Sequence, residues 1–196
     1  VARLRPAFLK ALTLHLVETS PRLRAAQKKT LEDTGVTIRW HDSTATLPDD
    51  RPLLIVANEF FDALPIRQFV QGGAGWRERC IGLDETGGLR FQAGLASLDE
   101  ADLPPQLKTA PEGAVLETQP VANAIMQDLA GRLAGQGGAA LVVDYGYGKT
   151  AVGETLQAVR NHKPVPVLET PGKADLTAHV NFEALARAAK APPVAA

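Results

Sequence analysis

The stretch PLLIVANEFFDALPIRQF, residues 52–69, decides how the rest of the chain is read. Leu53, Leu54, Ile55, Val56 and Ala57 form an unbroken apolar run, the pattern of a strand buried on both faces of a parallel sheet. Asn58, Glu59 and Asp62 follow at once, interleaved with Phe60 and Phe61 and closed by Pro65. Two carboxylates and an amide at the mouth of a buried strand cost stability unless they are satisfied or needed. Packing does not ask for them, so they are candidates for fixing a cation. Glu59 and Asp62 are three apart, and one helical turn would set both on one face, where a planar guanidinium could be gripped.

Working outward, AALVVD (139–144) is a second fully buried strand, delivering Asp144, Tyr145 and Gly146 into a loop. Upstream, VARLRPAFLKAL reads as the later part of a helix, from which the chain is expected to be a fragment. LTLHLVE (12–18) alternates Leu12, Leu14 and Leu16 as a strand and ends on Glu18. Ser20 then caps a helix with Pro21 at its first position, running to a stop at Gly35. VTIRW (36–40) is a strand followed by HDS. In residues 66–95, glycine clusters separate strand-like runs, which predicts antiparallel hairpins; 96–113 reads as loop and GAVLET (113–118) as one more strand. The expected organisation is a single domain, 1–196, with an antiparallel insertion sub-lobe at 66–118. A helix follows with Val121, Ile125, Leu129 and Leu133 on its apolar face, the region after 153 is mixed, and Asn181 is a plausible cap for the closing helix.

Strands alternating with helices predict a mainly parallel sheet with helices on both faces. Ligands in such sheets bind beyond the carboxyl ends of the strands. Glu18, Asp42, Asn58, Glu59, Asp62 and Asp144 are therefore expected to gather on one edge.

Composition narrows the function classes. Of 196 residues, 45% are hydrophobic and 22% charged, and 21 basic against 22 acidic side chains give a net charge of −1, without the basic footprint of a nucleic-acid binder. No apolar run approaches the ~20 residues that span a bilayer, and a soluble protein is expected. Cys80 is the sole cysteine, which excludes an internal disulfide and any multi-cysteine metal site; it reads as a small core hydrophobe. His15 reads as structural. His41, His162 and His179 show no i, i+4 pair, so no metal is expected, and His179 is the best of the three for a site role.

Two readings stand for each strand-end acid near the start. Glu18 either accepts both hydroxyls of a nucleotide ribose or is a solvated acid favouring the amino end of the next helix. Asp42 either accepts from an exocyclic amine such as adenine's or caps a turn. In a dinucleotide fold the glycine-rich turn precedes the ribose acid by ~20 residues. Counting back from Glu18 reaches or passes Val1, so that turn is expected upstream of the chain.

HLVETSPRLRAAQ (15–27), W-HDS (40–43), VANEFFDALPIRQF (56–69), LVVDYGY (141–147) and the segment from Gly153 to Phe182 that contains ADLTAHV, in this order, resemble the MidA-like family of S-adenosylmethionine-dependent methyltransferases. That family includes a mitochondrial arginine methyltransferase needed for respiratory complex I assembly. The resemblance implies a Rossmann-like class I methyltransferase sheet with S-adenosylmethionine as cofactor. It places Glu18 on the ribose and Asp42 near the adenine, with Ser20, Ser43 and Asn58 as further cofactor-binding residues. Asn58, Glu59 and Asp62 are the catalytic candidates, in a loop to Pro65 where donor meets acceptor. It implies an arginine-containing protein substrate, with a complex I subunit as candidate, leaves room for a homodimer, and places the protein in the cytoplasm if bacterial and the mitochondrial matrix if eukaryotic. The family's first strand and GxG loop are missing from these residues.

Methyl transfer from a sulfonium is a direct displacement, so the protein's task is to align donor and acceptor. A second hypothesis is a non-catalytic assembly or binding module that keeps the sheet and its NEFFDALP surface. A third, a hydrolase using Asp144 and His179, lacks a nucleophile elbow and ranks last.

Overall fold

A computed structural model describes residues 6–99, 101 and 103–191. Residues 1–5 of the expected opening helix lie outside these; its remainder is α1 (Pro6–Ala11). β1 (Thr13–Val17) and β2 (Thr37–His41) pair in parallel with Val17 opposite His41, and α2 (Pro21–Leu31) connects them. Ser20 caps α2, its Oγ accepting from the Leu23 N–H, and Pro21 sits where a missing donor costs nothing.

β3 (Leu53–Asn58) leads to an antiparallel sheet of β4 (Arg67–Gly72), β5 (Gly75–Leu83), β6 (Leu89–Ser97) and β7 (Val115–Thr118), in the order β6-β5-β4-β7. Its core is Phe69, Trp76 and Leu116 with Leu103 and Leu107, the last two from the proline-rich stretch read as loop. That stretch makes a short 3-10 turn at Pro105–Leu107 and so closes the open side of the sheet.

α3 (Pro120–Gln136) returns the chain to β8 (Gly138–Val143), which pairs in parallel with β3, Asn58 opposite Val143. β9 (Gly146–Tyr147) follows. The mixed region then resolves into a three-stranded antiparallel sheet of β10 (Gln157–Arg160), β11 (Lys163–Val165) and β12 (Asp175–Thr177). Asn161 and His162 join β10 to β11 with φ of 52° and 60°, the pair of left-handed residues that a type I′ hairpin turn requires. β13 (Val180–Asn181) pairs in parallel with β9 before α4 (Phe182–Lys190), whose cap is Asn181. A Cβ on Gly146 would lie 2.1 Å from the Val180 carbonyl oxygen, so only glycine lets β9 come this close to β13.

The chain is an α/β protein, but three features differ from the sequence-based expectation. The parallel strands form separate pairs, and among the described residues no ladder joins β1 to β3. β3 and β8 are not buried on both faces. Ala57 and Val142 pack with Phe61, Ile125, Met126, Val180 and Leu185 from the α3 and α4 side, while Leu54, Val56, Leu141 and Val143 on the other face are 66%, 74%, 59% and 48% exposed. α3 turns Ala122 and Leu129 inward and leaves Val121, expected on its apolar face, 39% exposed.

Candidate functional site

The chemistry-bearing residues fall into two clusters, each at the carboxyl end of a parallel pair. At the β1–β2 end, Glu18 is half-buried and both carboxylate oxygens are engaged: Oε1 accepts from the Ser20 backbone N–H at 2.8 Å, Oε2 from the Gln27 Nε2 amide at 3.2 Å. Asp42 stands opposite, bound to Arg24 Nη2 at 2.5 Å, and its side chain is 82% exposed. The same Arg24 nitrogen donates to the carbonyls of Glu18 and His41, so one guanidinium ties the ends of β1 and β2 together. Ser20 and Ser43 spend their hydroxyls locally, as caps accepting from the Leu23 and Ala45 N–H groups. Below this edge, His15 Nδ1 and His41 Nε2 lie 2.7 Å apart on adjacent strands. Burial, then the neighbouring His41 and Arg39, hold the His15 pKa down, against a smaller upward pull from Asp50.

At the β3–β8 end the strand stops abruptly. The Glu59 N–H still bonds to the Val143 carbonyl, but Glu59 itself adopts φ 46°, a left-handed conformation that a non-glycine residue holds only when its surroundings enforce it. Asp144, the last residue before the β9 loop, is what enforces the turn. Its Oδ2 accepts from the backbone N–H groups of Phe61 and Asp62 at 2.9 and 3.3 Å, and its Oδ1 accepts from its neighbour Tyr145. Glu59 remains exposed and accepts from the Tyr145 hydroxyl at 3.3 Å. Asp62 turns inward, only 7% exposed, with Oδ1 unpartnered. Burial, with Asp144 and Glu59 nearby, pushes its pKa up. Asn58 is exposed at the end of β3.

The turn is therefore not the helical one that would present Glu59 and Asp62 on a shared face. Phe61 must bury completely against Val180 and Leu185, and with that ring inserted the two carboxylates point to different environments.

The β13 segment links this turn to the antiparallel sheet. The Ala178 N–H donates to the Asp62 carbonyl and the His179 N–H to Thr155 Oγ1. Thr155 in turn donates its hydroxyl and its backbone N–H to Glu117, a β7 carboxylate only 4% exposed that also receives Gln68 Nε2 and the Leu156 N–H. The two short glycine-rich runs lie elsewhere: GGAG (72–75) makes the β4–β5 hairpin turn, and GQGG (135–138) leads into β8.

Sequence reasoning gave no role to Arg24, Gln27 or Glu117, and quoted Trp40 and Tyr145 without assigning them a partner. Arg24 and Gln27 carried a signal, since they are three apart on α2 and so share a face with the strand ends. Glu117 carried none, because its partners come from residues 49 and 38 positions away.

A family model described as an S-adenosyl-L-methionine-dependent methyltransferase matches residues 1–194. The mitochondrial protein arginine methyltransferase NDUFAF7 of Danio rerio is 35% identical over 91% of this chain and 46% of its own length. The human protein of the same name is 32% identical over 91% of this chain and 44% of its own. A Burkholderia thailandensis protein crystallised with S-adenosyl-homocysteine superposes with a TM-score of 0.73 at 29% identity, covering 89% of this chain and 47% of that one. The chain thus spans about half the length of the curated relatives it matches. With the match running nearly end to end, the chain belongs to the family of S-adenosyl-L-methionine-dependent methyltransferases.

Proposed function

We propose that these residues form the nucleoside-binding edge and the methyl-acceptor turn of a protein arginine methyltransferase. The observation that carries the reading is the turn after β3, which leaves Glu59 exposed and Asp62 buried in a conformation clamped by Asp144.

S-adenosylmethionine, when bound, supplies a methyl group on a sulfonium. The residues present fit its nucleoside end. Each Glu18 oxygen has one donor and can accept a second hydrogen bond, which suits the two hydroxyls of a ribose. Asp42 has Oδ1 on Arg24, leaving Oδ2 to accept from an exocyclic amine. Ser20 contributes through its backbone, Ser43 shapes the turn after Asp42, and Asn58 lies where donor and acceptor meet. A first parallel strand and its glycine-rich turn, not among residues 1–196, would lie between β1 and β3; that each of these strands has an edge unpaired among the described residues supports the placement. Residues 66–118 are an insertion sub-lobe of one domain.

On the acceptor side, Glu59 is the carboxylate an incoming guanidinium meets, held by the Tyr145 hydroxyl, and the buried Asp62 adds negative potential from behind the turn. Holding two guanidinium nitrogens would leave the third free to attack the methyl carbon as its bond to sulfur breaks, the donor leaving as a neutral thioether and the nitrogen's proton passing to solvent, and alignment is most of what this displacement needs. The acceptor is an arginine-containing protein, with a respiratory complex I subunit as the candidate; the mitochondrial names of the relatives support a matrix location in a eukaryote, and the cytoplasm is the bacterial counterpart.

The test is transfer of labelled methyl to protein arginine by wild type, Glu59→Gln and Asp62→Asn. Both variants should lose transfer while binding cofactor nearly as before. Equal loss of cofactor binding would move the two residues to the donor pocket. Absence of transfer by the wild type, with a partner still bound through this surface, would favour the non-catalytic module.

A further inference from the structure

Glu18 is held more tightly than a strand-end acid needs to be for solubility or for the amino end of α2. Its Oε2 takes the Gln27 Nε2 amide at 3.2 Å, and Gln27 has no freedom to turn that amide round, because its Oε1 accepts from the Trp40 indole Nε1 at 3.0 Å. An indole N–H only donates, so it selects the amide oxygen and leaves the NH₂ to face Glu18. The other carboxylate oxygen is fixed by the Ser20 N–H at 2.8 Å. Two elements thus converge on one carboxylate: α2 through its Ser20 cap and through Gln27 on its face, and β2 through Trp40, over whose ring Lys28 lies at 5.5 Å.

We infer that Gln27, with its amide direction set by Trp40, is a positioning residue that holds the Glu18 carboxylate in the plane needed to accept a vicinal diol. The inference rests on the reading of Glu18 as the ribose acceptor and adds the device that makes it selective. A freely rotating glutamate would lose its rotamer freedom on binding; one held before the ligand arrives has already lost it. The relay raises discrimination between a ribose and a sugar lacking the diol, and leaves contacts to the base unchanged.

The experiment uses a protein that carries these residues together with the first strand and glycine-rich turn, with Gln27→Leu, Trp40→Phe and Glu18→Gln. Side-chain NMR of labelled glutamate reads the Glu18 rotamer without ligand: a single rotamer is expected in the wild type and averaging in Gln27→Leu and Trp40→Phe, with melting temperature and amide spectrum otherwise preserved. Titration with adenosine and with 2′,3′-dideoxyadenosine, followed by amide shifts, reads selectivity. The wild type should favour adenosine about 10-fold or more, as expected for hydrogen bonds to a charged group, and Gln27→Leu should lose most of that preference with dideoxyadenosine binding unchanged. An averaged Glu18 in the wild type, or a Gln27→Leu variant that keeps the preference, overturns the positioning role. A wild type or Glu18→Gln variant that gives the opposite result in its own arm, the wild type without preference or Glu18→Gln with it intact, overturns the ribose reading itself.

Discussion

Asp144 reaches from the end of β8 to the far side of the β3 turn and accepts the backbone N–H of Asp62, 82 residues earlier in the chain. A single oxygen, Oδ2, serves both Phe61 and Asp62, so the acidic turn keeps its shape through a carboxylate that need not touch substrate. Asp144→Ala leaves those N–H groups without their acceptor, and the expected cost is about 1–3 kcal/mol of stability. Asp144→Asn keeps one accepting oxygen and should cost less. Urea unfolding of the two variants checks the order.

Asp62 and His15 give opposite pH signatures. The Asp62 pKa is raised in the folded chain above its ordinary 3.8, chiefly by burial. Its stabilising contribution is therefore full below that value and is lost as pH rises through the folded-state pKa. Asp62→Asn should remove this loss, so its stability should fall less than that of the wild type when pH is raised from about 4 toward neutrality. The His15 pKa is lowered from 6.5. The unfolded chain then takes up the proton first, and stability is lost as pH falls from 6.5 through the folded-state value. His15→Asn should flatten that acid limb. Denaturation midpoints between pH 4 and 8 separate the two effects.

Glu18→Ala should weaken binding of S-adenosylmethionine by about 2–4 kcal/mol in a protein that also carries the glycine-rich turn, the range for two charge-assisted hydrogen bonds. Folding should survive, since Glu18 is half-buried and Ser20 keeps its capping hydroxyl. Calorimetric titration showing unchanged affinity in a folded variant would remove Glu18 from the site.

Glu117 joins the antiparallel sheet to the site segment, and its removal should be felt at both. Glu117→Ala leaves Gln68, Thr155 and Leu156 without their shared acceptor in a buried setting. A loss of about 2–4 kcal/mol is expected, from several broken hydrogen bonds and the space left behind. Thr155→Val should cost less and yet loosen the His179 backbone, whose N–H bonds to the Thr155 hydroxyl. Hydrogen exchange at His179 in that variant, compared with its melting temperature, distinguishes local loosening from global loss.

Much of the local structure was written in short-range chemistry. Ser20 with Pro21, Asn181 before α4 and the apolar run into Asn58 each mark an element through residues that touch their own neighbours, and all three occur where the pattern placed them. Glu18, Asp42, Glu59 and Asp144 likewise follow strand ends, because a strand's direction and its last residue are local facts. What these acids do to one another was decided in three dimensions. The turn after β3 was not helical because Phe61 is buried against Val180 and Leu185, more than a hundred positions away, and because Asp144, just past the end of the neighbouring strand β8, supplies an acceptor from outside the turn. The same holds for burial: the run Leu53–Ala57 is equally apolar on both sides, so sequence could not tell which face of β3 would meet α3 and α4 and which would lie open. Periodicity names the faces of a strand, and only the packing of distant elements assigns them.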